Sequence, residues 1–364
     1  MLKQHRVWIP LVVGVALIAG ACGGDDDTAT TTEPTGTEPT GTEPTATSGT
    51  DSSEDGPLLI YMTPNPIGVN EFLTLGEIGT EAAAAALGGT AQTFEGDDAA
   101  SMRSNVEAAL DADADVIVMT TFSMKELADE FSKANPDQTF VLIDACPDEP
   151  APNIFCGVFR EHEGAYLLGI EAGMLTESGV IGTVAALDTP FIHRWSDSFA
   201  AGAASVREVE DNQLFVGGDN PFGDPARAKE QALAMASQGA DHVLAAAAGG
   251  NGGVFEAAVD QGFFAYGVDV NQCGLAPGSV IDNNLKRVDV VAQTMIEKAL
   301  DGTASPITSF GLAEGGVGVV ALADDVADSG CVIADHPDVV ARVKEVAAQI
   351  IAGDIVVNDP LTAG

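Results

Sequence analysis

From Leu58 onward, short runs rich in β-branched and other apolar residues alternate with Ala-rich stretches of helical length. "LLIYMT" is followed by a helical stretch around Asn70–Leu87, "VIVMTT" by another around Met124–Ala134, and "FVLIDA" closes the first series. A second series follows, "VIGTVAAL", "LFVGGD", "HVLAAAA" and "FFAYGVD", again with helical stretches between the runs. Strands that are apolar almost throughout must be covered on both faces, and helical crossovers between them dictate parallel sheets. The expected class is therefore α/β, with doubly wound parallel sheets. The 364 residues exceed one comfortable core, so two lobes are expected. The series breaks near "GVFREHEGAYLLG", where the chain crosses between them. The expected lobes are 57–158 with 284–308, and 159–283 with 309–364, joined by a hinge. Ligands of such sheets sit at the carboxyl ends of the strands.

The residues before Leu58 are of another kind. Lys3, His5 and Arg6 precede "VWIPLVVGVALIAGA", which ends at Cys22. A basic start, a short apolar stretch and small residues make a secretory signal over 1–21, and about fifteen apolar residues are too few to span a bilayer. The "AGAC" ending resembles a bacterial lipobox, with Ala19 where Leu is usual, so Cys22 is expected to carry a lipid. Residues 22–56, including "TGTEPTGTEPT", have almost no apolar side chain to bury and are expected to form a disordered tether. Lys and Arg number 15 against 55 Asp and Glu, a formal charge of −40. That excess argues against nucleic-acid phosphates and anionic lipid as the main partner.

Apart from Cys22 there are four cysteines, Cys146, Cys156, Cys273 and Cys331, an even number for an oxidising compartment. Three pairings are open. Cys146–Cys156 is favoured because "CPDEPAPNIFC" closes a Pro-rich loop, and Cys273–Cys331 follows by default. No CxxC or close His spacing supports zinc instead. "AAGGNGGVFEAA" follows one apolar run and opens a helix, where Gly249 and Gly250 would let backbone N–H groups approach a ligand. It lacks GK[ST], so a triphosphate loop is not expected.

The stretch from Asn153 to Val319 resembles the basic membrane protein family, the purine-nucleoside receptor lipoproteins of ABC importers. The residues that carry the resemblance are "FREHEGAYLLGIEAGMLTESGVIGTVAAL", "DPARAKEQALAMASQGAD", "AAGGNGGVFEAA", "YGVDVNQ", "NNLKRVD" and "GLAEGGVGV". The resemblance implies the type I periplasmic binding protein fold, whose two lobes close around a ligand. It also implies that Asp269 and Lys286 hold ribose hydroxyls, while Phe72 and Trp195 stack on the base. Arg287 is expected to pair with a nearby acid. In the first loop this chain reads "GVNEFLT" where the family reads approximately "DDKSFNQ", so Val69 and Leu73 replace polar groups. Asn65, Asn70 and Thr121 are the polar groups expected in compensation.

The implied function is an extracytoplasmic, lipid-anchored, monomeric receptor for a purine nucleoside, with ABC permease and ATPase subunits as partners and no cofactor or metal. Riboflavin is the alternative planar ligand, and a sensory receptor of the same fold is the alternative role. A nucleoside hydrolase would need an activated nucleophile or a metal. His5, His162, His193, His242 and His336 are scattered without an HExxH or triad-like arrangement, and no aspartate cluster near the N-terminus of the fold suits calcium. The chain is read as a non-enzyme. If Cys22 carries the anchor, Cys22→Ser should shift the protein out of the membrane fraction in cell fractionation. Unchanged membrane retention, or wild-type protein without acyl chains by mass spectrometry, would contradict it.

Overall fold

A computed structural model describes residues 56–362 except Val69. The expected signal, Cys22 and most of the tether lie outside the described residues. The chain begins with β1 (Leu58–Thr63), α1 (Glu71–Leu87), β2 (Thr90–Glu95), α2 (Ala99–Asp111), β3 (Val116–Thr120), α3 (Lys125–Ala134), β4 (Thr139–Ile143) and β5 (Ile154–Phe159). It continues through α4 (Glu161–Leu175), β6 (Val180–Ala185), α5 (Pro190–Ala204), β7 (Glu210–Phe215), α6 (Pro225–Ser237), β8 (His242–Ala246), α7 (Asn251–Gln261), β9 (Phe264–Asp269) and β10 (Val280–Lys286). α8 (Val288–Asp301), β11 (Ile307–Phe310), β12 (Val317–Val319) and α9 (Pro337–Ala352) complete it.

The strands form two six-stranded sheets, ordered β11-β5-β4-β3-β1-β2 and β12-β10-β9-β8-β6-β7. All pairings are parallel except that of β10 with β12. In each sheet the order turns back on itself, between β1 and β3 and again between β6 and β8, as doubly wound sheets do. The central strands β3 and β8 are buried along their whole length. The edge strand β2, "TAQTFE", is polar and partly exposed.

Local chemistry fixes where the elements start and stop. Asn70 caps α1, its Oδ1 accepting from the Phe72 N–H at 3.0 Å, and Gly88 ends the helix at φ 70°. The expected strand "LFVGGD" lies instead at 210–215, because Gly217 and Gly218 turn the chain at φ 57° and 76°. Helices α4 and α5 cross where Gly169 meets Gly202. A Cβ on Gly169 would come within 2.0 Å of the Phe199 carbonyl, and one on Gly202 equally close to that of Tyr166. Only glycine permits this approach, which presses α5 onto the second lobe.

The chain passes between sheets three times, at Arg160, at Arg287 and over 311–316. The second crossing falls after the expected 283–284, because β10 stays paired with β9 and β12 through Lys286. The third falls after 308–309, because β11 pairs with β5 through Phe310. Arg160 ties the first crossing to the third, binding Glu163 at 2.6 Å and Glu314 at 2.5 Å. Disulfides join Cys146 to Cys156, as favoured from the Pro-rich loop, and Cys273 to Cys331, the pairing left by default. Arg287 pairs with Asp289 at 2.9 Å.

Glu171 of α4 and Asp282 of β10 are both fully buried. Asp282 accepts from the Val320 and Ala321 N–H groups at 2.7 and 2.9 Å. No donor faces either oxygen of Glu171 among the described residues, so its carboxyl is satisfied only by giving its own proton to Asp282. Burial, then the Asp282 charge, push its pKa well above the usual carboxylate range. A folded-state pKa above the unfolded value gives stability that is complete below about pH 4.3 and is lost as pH rises towards the folded value. Glu171→Gln donates to Asp282 at every pH. Its stability relative to wild type, measured by urea denaturation, should therefore grow by roughly 1.4 kcal/mol per pH unit above about pH 4.3. A gap independent of pH would contradict a protonated Glu171.

Candidate functional site

Four non-glycine residues at or just beyond the carboxyl ends of parallel strands have left-handed backbone. They are Thr121 after β3 (φ 85°), Asp144 after β4 (79°), Ala248 after β8 (49°) and Asp269 at the end of β9 (71°). Each such position costs on the order of 1–3 kcal/mol and persists only where the surroundings enforce it. All four line one cleft of about 230 Å³ between the two sheets. The first lobe contributes Asn65, Asn70, Phe72, Thr121, Phe122 and Asp144. The second contributes Phe191, Trp195, Phe222, Ala248, Asp269 and Lys286.

Lys286, the last residue of β10, is only 4% exposed. Its Nζ lies 2.5 Å from Asp144 Oδ1 and 2.9 Å from Glu161 Oε1. Burial disfavours the ammonium, but Asp144, Glu161 and Asp269 outweigh it and raise the pKa above that of an ordinary lysine. The ammonium also lies 4.7–5.2 Å from the ring centres of Phe72, Phe159 and Trp195, and 5.7 Å from that of Phe191. These are cation–π distances. An ammonium has three protons; one hydrogen bonds Asp144, while Glu161 is held as an ion pair without hydrogen-bond geometry.

The carboxylates differ in how far they are committed. Burial pushes Asp144 up to about 7 against the pull of Lys286. Glu161 bridges two cations, since its Oε2 accepts from Arg194 Nη1 at 2.8 Å. Asp269 is half-buried, and no donor hydrogen bonds its carboxylate among the described residues. Burial raises its pKa to about 6, although Lys286 pulls the other way. Its carboxylate is an acceptor without a partner among the described residues.

The rings fall into two groups. Phe72 and Trp195 are 5% and 6% exposed and pack on Lys286. Phe122 is 40% exposed, and its ring centre lies 5.6 Å from that of Phe191 and 5.9 Å from that of Phe222. Phe122 comes from the first lobe and its two partners from the second, so this aromatic contact spans the mouth of the cleft. Asn70 divides its role, since its Oδ1 caps α1 while the residue lines the cleft. The Thr121 hydroxyl hydrogen bonds that of Ser123 at 2.7 Å.

Six of the residues singled out from sequence, Phe72, Asn70, Thr121, Trp195, Asp269 and Lys286, thus meet in one cleft. Gly249 is exposed and Gly250 is buried in a turn, and neither lines it; Ala248 of the same loop does. Sequence reasoning passed over Asp144, Glu161, Phe122, Phe191 and Phe222. For Asp144 a signal was present, because it ends an apolar strand as Asp269 does. Glu161, Phe191 and Phe222 stand in stretches similar to the family, "FREHEGAY", "TPFIHRWSDSF" and "NPFGDPAR", but nothing local marked them as cleft residues, and Phe122 carried no signal.

A profile of the Bmp family, described as ABC transporter substrate-binding protein PnrA-like, matches residues 76–344, and the chain belongs to that family. The CD4+ T-cell-stimulating antigen of Listeria monocytogenes is 27% identical over 71% of this chain and 74% of its own. The ABC transporter nucleoside-binding protein BmpA of Lactococcus lactis is 28% identical over 63% of this chain and 70% of its own. Among solved structures, an ABC transporter solute-binding protein from Aeropyrum pernix superposes with a TM-score of 0.71 at 26% identity, covering 84% of this chain and 94% of that one. The fold is that of a periplasmic binding protein.

Removing the buried ammonium leaves Asp144 without a cation and Glu161 with Arg194 alone. Lys286→Met should therefore cost about 3–5 kcal/mol in urea denaturation. Adding Asp144→Asn and Glu161→Gln should recover much of that loss. A single variant as stable as wild type would mean that the ion cluster is not formed.

Proposed function

We propose that the protein is the extracytoplasmic receptor of an ABC importer, and that its cleft captures a purine nucleoside or a similar planar ribosyl ligand. The observation that carries this reading is the pairing, in one cleft, of an uncommitted acceptor with a partly committed donor beside aromatic faces. The Asp269 carboxylate accepts from two sugar hydroxyls, and a Lys286 proton not used by Asp144 goes to a sugar oxygen. Phe122 and Phe222 offer ring faces at the mouth, above the more deeply packed Phe72 and Trp195. The nucleoside-binding relative from Lactococcus lactis supports the same ligand class.

The ligand joins the lobes because its contacts come from both. Phe72 and Phe122 belong to the first lobe, and Asp269, Lys286 and Phe222 to the second. Closure about Arg160, Arg287 and 311–316 would exclude water and strengthen the charged hydrogen bonds. In this reading the protein binds and releases its ligand unchanged, as a monomer anchored through Cys22, and delivers it to the permease.

Isothermal titration with inosine, guanosine, adenosine, riboflavin and ribose tests the assignment. A purine nucleoside should bind more tightly than ribose or its free base. Asp269→Asn should weaken it by about 10- to 150-fold, the equivalent of a sheltered charged hydrogen bond of about 1.5–3 kcal/mol. Because the ionised carboxylate is the acceptor, wild-type affinity should fall as pH drops through about 6, and the variant should lose that dependence. Tight binding of ribose alone, indifferent to Phe122→Ala and Phe72→Ala, would exclude the nucleoside reading.

A further inference from the structure

Beyond α9 the chain turns at Gly353 (φ 79°) and runs back against the starts of α4 and α5. Asp359 of this terminal segment grips Arg194 of α5 with both oxygens, Nε to Oδ1 at 2.8 Å and Nη2 to Oδ2 at 2.6 Å. The pair is sheltered, with side chains 9% and 16% exposed. The remaining Arg194 nitrogen, Nη1, donates to the Phe159 carbonyl and to Glu161 Oε2, both at 2.8 Å. Glu161 in turn lies against Lys286 at 2.9 Å, and Lys286 against Asp144. Five side chains of alternating sign therefore lead from the C-terminal segment to the cleft: Asp359, Arg194, Glu161, Lys286 and Asp144.

We propose that Asp359 is a positioning residue for the ligand cleft, fixing Lys286 through Arg194 and Glu161, and fixing the Phe191 and Trp195 wall through Arg194 on the same helix. A guanidinium presents its donors in one plane. With Nε and Nη2 held by Asp359, Nη1 can reach Glu161 only in the observed orientation. Without that grip, two donors in a sheltered place lose their partner. The guanidinium must then rotate towards Glu161 or towards water, and either movement shifts the carboxylate that holds Lys286. Asp359 touches no part of the cleft itself. Its effect on binding must be transmitted.

The inference rests on the nucleoside reading for its ligand, so the test also has an arm that needs none. Trp195 adjoins Arg194 in sequence, and its ring centre lies 5.2 Å from Lys286 Nζ. In the full chain carrying Trp8→Phe it is the sole tryptophan. In that background Asp359→Asn should shift the emission of the unliganded protein and increase its quenching by acrylamide. In titration calorimetry the same substitution should weaken inosine binding at least tenfold. Asp359→Glu keeps the charge and should restore both readouts towards wild type. A second variant, Asp359→Asn with Arg194→Gln, removes both charges and with them the cost of an unpaired buried guanidinium. It should remain folded, yet keep the altered emission and the weak binding, because Glu161 still lacks its anchor. Trp195 emission and quenching unchanged by Asp359→Asn would overturn the proposal, whether or not inosine binds. So would wild-type emission and affinity in the double variant, which would reduce Asp359 to a partner that merely neutralises Arg194. Failure of wild type to bind inosine would count against the nucleoside reading alone, leaving the emission arm to decide on Asp359.

Discussion

An ammonium group withdrawn from water between two sheets is the constraint on which this molecule depends. Taking the Lys286 charge out of water costs several kcal/mol, even after relaxation. The cost is offset only if carboxylates and ring faces meet it at the same point. Asp144 comes from the end of β4 in the first sheet, Glu161 from the start of α4 beside the hinge, and Lys286 from the end of β10 in the second sheet. The pairing therefore fixes how the ends of the two sheets face one another. Phe72 of the first lobe and Trp195 of the second close around the same charge.

The same requirement explains the backbone of the cleft. Parallel strands deliver side chains alternately to the two faces of a sheet, not outward past its end. At Thr121, Asp144, Ala248 and Asp269 the backbone turns left-handed, and the next groups turn into the space between the lobes. The strain is tolerated because the strands behind these residues are buried and paired along their length. A rigid rim then carries aromatic faces and unequally committed charges on both sides of one cleft.

Legibility in the sequence followed burial. β1, β3, β4, β6, β8 and β9 were readable because strands covered on both faces must be apolar along their length. The edge strands were not, and neither were the interior strands β5 and β10, which carry Gly or Asp and Asn among their apolar residues. β2 is "TAQTFE", and β7 is "EDNQLF", of which only the last two residues read as strand. Solvent on an edge lets polar residues stand there. In the cleft, Asp269 was legible as a charge at the end of an apolar run, and both it and Lys286 through the resemblance that "YGVDVNQ" and "NNLKRVD" carry. That Lys286 would be buried and held by Asp144 was not legible. The partners lie 142 residues apart, and no local spacing encodes a contact between the ends of strands in different sheets. Asp359 and Arg194, 165 residues apart, were hidden for the same reason.

The buried position of Lys286 can be tested by nitrogen-detected NMR of the lysine side-chain ammonium groups, with and without inosine. A buried ammonium held by two carboxylates exchanges its protons slowly, so one protected signal should stand apart from those of the surface lysines. It should be absent in Lys286→Met and should move when inosine fills the cleft. If no protected ammonium is seen, or if its signal is indifferent to a nucleoside that demonstrably binds, Lys286 is not the buried cation that faces the ligand.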